Sequence, residues 1–215
     1  MTFSIVARCA ETGRLGVAVA TASLAVGGRC PYAMSGVGAV TTQNRTHPMI
    51  GPRVLELLRD GVAAQDAVEA AATAFPFPEW RQVAVVDFKG GVGVFHGADC
   101  SGVHAEARGA GVVALGNLLQ TDAVPGAMIA AFEATVGMLE DRLLAGLAGG
   151  LAAGGEVNPL QSAALLVVDG DPFPFTNLRV DWDGAAPLET LQALWQKWRP
   201  VAGTYRTWAV DPSSV

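Results

Sequence analysis

The first residues that can do chemistry stand at the start of the chain. Met1 is followed by Thr2, and an initiator methionine is normally removed before a residue that small. The mature chain is therefore expected to begin with a free Thr2 amine beside the Thr2 hydroxyl. A single residue would then carry a nucleophile and the base that activates it. An α-amine titrates near pH ~8, so much of it accepts a proton at neutrality. Many chains begin Met-Thr without using it, and the pair alone is a weak sign. His96, Asp99, Cys100 and His104 form a second polar group, but their irregular spacing fits a polar loop beside a pocket better than a metal site. The three cysteines, Cys9, Cys30 and Cys100, show no CxxC spacing and indicate neither a disulfide scaffold nor zinc. With no GxGxxG or GxxxxGK(S/T) loop, the sequence implies no cofactor.

Thr2 has to be held in place by strands and helices further along the chain. Residues 3–7 and 15–20 are apolar runs around a polar segment ending in Thr12-Gly13, the pattern of a hairpin inside a core. Residues 36–43 read as a strand, and the crossing before them, 22–32, reads as irregular. Two helices are expected at 52–61 and 63–75, then strands at 82–87 and 91–96 joined around Lys89-Gly90. After the polar loop 96–109 come a strand at 111–115 and helices at 123–135 and 138–147. The tract GGLAAGG, 149–155, reads as flexible. Residues 161–168 are the most strand-like run, 178–181 a short strand, and Leu188, Leu191, Leu194, Trp195 and Trp198 mark a last amphipathic helix. The order excludes a regular βαβα nucleotide-binding fold and favours paired sheets with helices outside them.

At 215 residues, 51% of them hydrophobic, the chain is long enough for one substantial core. We expect one domain over residues 1–200 and a tail over 201–215. The net charge of −6 and the presence of only two lysines, Lys89 and Lys197, argue against a nucleic-acid partner. Apolar runs such as 163–168 are far too short to span a bilayer, so no membrane partner is expected. Arg8 breaks the first apolar run, no signal peptide is visible, and a cytoplasmic location is the simplest expectation. Aromatic residues crowd the end of the chain (Trp195, Trp198, Tyr205 and Trp208). They are expected either to fold back on the core or to bury in a homodimer.

A set of segments carries a resemblance over residues 2 to about 194: TFSIVAR (2–8), TGRLGVAVA (12–20), LAVGGRCPYA (24–33), GVGAVTTQN (36–44), GPRVLELL (51–58), HGADC (96–100), GNLL (116–119), AAGGE (152–156), QSAALLVV (161–168) and NLRVD (177–181). Together they resemble the domain-of-unknown-function family 1028, placed among the N-terminal-nucleophile hydrolases. The resemblance implies an α+β fold, a four-layer αββα sandwich of mostly antiparallel sheets. The N-terminal residue would lie on a strand at the mouth of the cleft between them.

It also implies an amidohydrolase acting on a small amide, cyclic amide or carbamoyl compound through Thr2. The alternative is a catalytically inactive ligand-binding or assembly protein on the same scaffold. Asn117 is the first candidate oxyanion donor, or else the cap of a turn. Ser162 is a candidate neighbour of the Thr2 amine or of substrate, together with Gln161, or a small residue required by sheet packing. Arg8, Gln43 and Arg53 are candidate substrate-binding residues; Arg53 either grips a carboxylate or pairs within the protein. The segment after AAGG departs from the family pattern: Glu156, Asn158 and Pro159 stand where an Asp-x-Arg-Gly run is usual. Trp182-Asp183-Gly184 likewise replaces an acidic residue and His-Pro.

Overall fold

The computed structural model describes residues 2–214, and in it runs of four, four and two strands are each followed by a pair of helices. Strands β1 (Thr2–Arg8) and β2 (Leu15–Thr21) make the expected hairpin, with Phe3 opposite Ala20 and Arg8 opposite Leu15. They are followed by β3 (Pro31–Met34), β4 (Gly38–Asn44), α1 (Ile50–Arg59), α2 (Ala64–Thr73), β5 (Arg81–Asp87) and β6 (Val92–His96). Next come β7 (Ala105–Gly109), β8 (Val112–Asn117), α3 (Val124–Ala134), α4 (Leu139–Ala152), β9 (Ser162–Val168), β10 (Pro174–Val180), α5 (Pro187–Trp198) and α6 (Ala202–Val210). One antiparallel sheet runs β10-β9-β2-β1-β8-β7 and faces a second, β3-β4-β5-β6. Helices α3, α4 and α5 cover the first sheet, and α1 and α2 cover the second. This is the expected αββα sandwich, with β1 central and β9 beside the hairpin.

Successive side chains of a strand face opposite ways, and that rule sorts the interior. From β1, Phe3, Ile5 and Ala7 enter a core with Met128, Phe132, Leu143 and Leu147 of α3 and α4. Val6 points the other way, into the space between the sheets, where it joins Val17, Ala84, Val86, Val113 and Leu115. Thr2 and Ser4 share the face of Val6. Each large apolar side chain buried in these layers stabilises the fold by ~1.5–3 kcal/mol. A slip of one residue would turn all of them outward, so the register is firmly set.

Four elements differ from the sequence reading. Residues 31–34 form β3, paired with β4 from Pro31 opposite Thr41 to Met34 opposite Gly38. Residues 105–109 form β7 at the edge of the larger sheet, where Glu106 and Arg108 suit an edge strand. The tract read as flexible is mostly helix, since α4 continues to Ala152. Its glycines permit contact: a Cβ on Gly149 would stand 2.6 Å from the Ala131 Cβ, and one on Gly150 2.6 Å from Met128 Cγ. The tail carries α6, which has no apolar stripe because only Ala202 of it is buried. Trp195 folds back into the core with its indole N–H on Asp141 Oδ1 at 2.8 Å, while Trp198 stacks on Tyr205.

At Gly93 of β6 an added Cβ would lie 2.3 Å from the Ala64 carbonyl oxygen at the start of α2. Backbone cannot yield as a side chain does, so Gly93→Ala should destabilise the protein by ~1–3 kcal/mol in urea unfolding. An unchanged midpoint would contradict this packing of α2 on the smaller sheet.

Candidate functional site

The space between the sheets is apolar at one end and polar at the other, and Thr2 stands at the polar end. Thr2 is buried, lies opposite Asn117 in the β1–β8 ladder, and donates its hydroxyl proton to Thr21 Oγ1 at 3.2 Å. Thr21 Oγ1 also receives the Ser23 N–H. Ser4, Thr41, Gln43, Gln82 and Asn117 are buried in the same region. Burying so many polar side chains is costly unless they are paired, which marks this end as the candidate site.

Gln82 of β5 is the hub of that pairing. Its Oε1 accepts Gln43 Nε2 and Asn117 Nδ2, each at 2.8 Å. Its Nε2 donates to the Gly116 carbonyl at 2.9 Å and to His96 Nδ1 at 3.1 Å. Both amide hydrogens and both oxygen lone pairs are thereby used. Gln43 accepts the Ser4 hydroxyl at 2.7 Å and reaches toward the Thr2 carbonyl at 3.5 Å, a long contact. His96 Nδ1 is an acceptor here, so its proton sits on Nε2 and goes to Glu106 Oε2 at 2.9 Å. A continuous chain of hydrogen bonds thus runs from Ser4 beside Thr2, across both sheets, to the half-buried Glu106. Gln43 and Asn117 are each followed by a residue in the left-handed region, Asn44 at φ 66° and Leu118 at φ 50°. Such conformations cost free energy and are concentrated at functional sites.

Among the described residues, three buried acceptor or donor atoms at this end have no hydrogen-bond partner: Thr41 Oγ1, Asn117 Oδ1 and Glu156 Oε2. Asn117 Nδ2 gives one hydrogen to Gln82 and retains a second. Glu156 Oε1 accepts the Ala22 N–H at 2.9 Å. Burial pushes the Glu156 carboxyl up to about 7, against the pull of the Ala22 N–H.

The remaining expected site residues do not meet Thr2. Ser162 lies opposite Thr21 with β2 between it and β1, and its hydroxyl donates to the Ser23 carbonyl at 2.6 Å and accepts the Val26 N–H. It fastens residues 23–26 rather than touching Thr2. Gln161 contributes backbone, its N–H on the Thr21 carbonyl and its carbonyl on the Asp183 N–H. Arg8 is at the far end of β1, ~20 Å from Thr2 at ~3.4 Å per residue, with its guanidinium over Phe88. Arg53 is on the outside of α1, paired with Glu56 at 3.1 Å. The arrangement brings Gln43 and Asn117 to Thr2 and leaves Arg8 and Arg53 away from it. Hollows of about 460 Å³, beside Leu58 and Lys89, and about 290 Å³, beside Thr12 and Asp169, also open at the far end.

Sequence reading missed Gln82, Thr21, Ser4, His96 as a network member, and Glu156. A polar residue at an inward position of a strand was the available signal for Ser4 and Gln82. Cys30 and Cys100, the buried thiols, are pushed by burial up to about 12 and about 11, so neither supplies a thiolate near neutrality.

Burial holds the His96 imidazole below its usual value, although the Glu106 hydrogen bond and charge pull it upward. The folded state therefore favours neutral His96: its contribution to stability is complete above ~6.5 and is lost as pH falls through the lowered value. Ring-proton NMR should place the His96 midpoint below ~6.5, and a midpoint at or above it would contradict the assigned network. Gln82→Leu leaves Asn117 Nδ2 without its partner and takes an acceptor from Gln43, at ~1–3 kcal/mol per buried group. Urea unfolding should show a loss of at least ~2 kcal/mol, and a neutral substitution would mean the amide is not the hub.

The family model described as a family of unknown function, DUF1028, matches residues 2–191. The crystal structure of protein SPO2555 from Silicibacter pomeroyi, described under the same family model, is 36% identical with a TM-score of 0.86; the match covers 92% of this chain and 85% of that one. Anbu (ancestral beta-subunit) from Yersinia bercovieri matches at 8% identity and a TM-score of 0.44, over 91% of this chain and 93% of that one. Thiobacillus denitrificans BPH in complex with epoxomicin matches at 14% identity and 0.39, over 80% and 100%. No curated protein matches. On a family match spanning most of its length and a relative sharing about a third of its residues, the chain belongs to the DUF1028 family.

Proposed function

We propose that this protein hydrolyses a small amide, cyclic amide or carbamoyl compound, with Thr2 as the first residue of the mature chain and its nucleophile. One observation carries the reading: Thr2 begins the central strand at the polar end of the inter-sheet space, opposite Asn117, among buried polar atoms that lack partners. In this mechanism Thr2 Oγ1 attacks the carbonyl carbon while the Thr2 amine takes the hydroxyl proton. The amine then gives that proton to the leaving nitrogen, and water releases the acyl group from Oγ1. The second Asn117 Nδ2 hydrogen is the candidate donor to the oxyanion, with nearby backbone N–H groups as further donors. Gln82 fixes the Asn117 amide in rotation and so sets the direction of that hydrogen.

The second reading, a binding or assembly protein without chemistry, is favoured by one fact: Thr2 is only 5% exposed. Variants separate the two. After an amide-library screen has given a substrate, Thr2→Ala should abolish turnover while leaving the fold intact, and Thr2→Ser should retain part of it. An uncleaved residue before Thr2 should be as damaging as Thr2→Ala, because it turns the amine into an amide. Asn117→Ala should lower kcat by ~10²–10³-fold. Full activity in the extended chain would exclude the free-amine mechanism.

A further inference from the structure

We propose that Glu156 positions the Thr2 amine: Glu156 Oε2 receives an N–H of that amine once Thr2 begins the chain, and so holds the base beside the hydroxyl it serves. The inference rests on the function proposed above and adds to it a residue that approaches Thr2 from outside the two strands flanking it.

The backbone fixes where the carboxylate lies. The Thr21 carbonyl accepts the Gln161 N–H at 2.8 Å and therefore points toward β9. A trans peptide sets the next N–H opposite that carbonyl, so the Ala22 N–H points toward β1. Glu156 Oε1 receives it at 2.9 Å. Ala22 is one step past the end of β2, and with Phe3 opposite Ala20 it is level with the position just before Thr2. The carboxylate consequently caps the hairpin ladder at the start of β1, where the first amine of a chain beginning at Thr2 must lie.

Glu156 is held there from both sides. The Val157 N–H bonds the Leu118 carbonyl at 2.9 Å and the Gln120 N–H bonds the Gly155 carbonyl at 3.0 Å, tying this segment to the turn after Asn117. The residue is 5% exposed, and its Oε2 is fully buried without a donor. A half-paired carboxylate in so dry a place is costly, and a cationic or N–H partner at Oε2 removes the cost.

The consequence is chemical as well as structural. A neutral amine has two N–H bonds and one lone pair, and giving one N–H to Oε2 restricts rotation about the N–Cα bond. The lone pair can then be directed at Oγ1. When the hydroxyl gives its proton to the amine, the ammonium so formed sits against a carboxylate, and no proton need leave the pair.

The test reads the amine itself. In threonine-labelled protein the 13C signal of Thr2 Cα titrates with its amine, independently of any substrate. Glu156→Gln keeps an acceptor for Ala22 and removes the charge, so the midpoint should fall by ~1 pH unit or more. Glu189→Gln on α5 should leave it in place. Glu156→Asp keeps the charge on a shorter stem and should shift the midpoint less, which serves if the Gln variant does not fold. An unmoved midpoint in Glu156→Gln, or in Glu156→Asp where only that variant folds, overturns the inference and leaves the proposed function standing. Full turnover by Thr2→Ala overturns the function and leaves the shift intact. Retained Met1 overturns both.

Discussion

A polar group shut between two sheets must find its partner on the facing sheet, on its own sheet, or go without. In this protein one amide answers that constraint for much of the polar end. Gln82 bonds Asn117 and Gly116 of the opposite sheet, Gln43 of its own, and His96 beside it. Each of these bonds limits where the next group can point. Asn117 is turned so that one hydrogen is spent on Gln82, and Gln43 is turned so that it meets both Ser4 and the Thr2 carbonyl. Positions at the start of β1 thus depend on residues of β4, β5 and β8, which come together only when both sheets are complete. A fully used amide in a dry setting gives rigidity that an aliphatic side chain of equal volume would not.

The contrast with the other end of the same space is a matter of cost. Val6, Val17, Val86 and Val113 fill that end and need no partners. Aliphatic residues would have been the simpler filling throughout. Their replacement around Thr2 by threonines, glutamines and an asparagine, with three polar atoms left unpaired among the described residues, is a local inconsistency of the kind folds carry at functional sites. The hollows at the apolar end are bordered by groups that pair elsewhere: Asp169 holds Arg14, and Phe88 lies under Arg8.

Much of the frame was legible in the sequence, because β1, β2 and β9 are continuous apolar runs bounded by turns. The pairing of Thr2 with Asn117 was legible only in part: GNLL marked the end of a strand, but not which strand it would join. Strands β3 and β7 were missed for a physical reason. Both are short, both lie at sheet edges, and their pattern is too polar or too broken to signal pairing that comes from a neighbour. The glycines of α4 looked flexible because composition does not reveal that Ala131 and Met128 press against them. Arg8 and Arg53 drew attention as charges in resembling segments, yet strand length and helix placement carry them away from Thr2. Glu156 lies in a segment that departs from the family pattern, and nothing local shows that Ala22 would turn its N–H toward it.

The most direct measurement of the account is chemical mapping of the nucleophile. The purified protein is treated with a limiting amount of an activated acyl ester, and the acylated residue is located by tandem mass spectrometry. The account predicts one acyl group on Thr2, absent after Thr2→Ala. Acylation confined to Lys89, Lys197 or another side chain, with Thr2 unmodified, would contradict it.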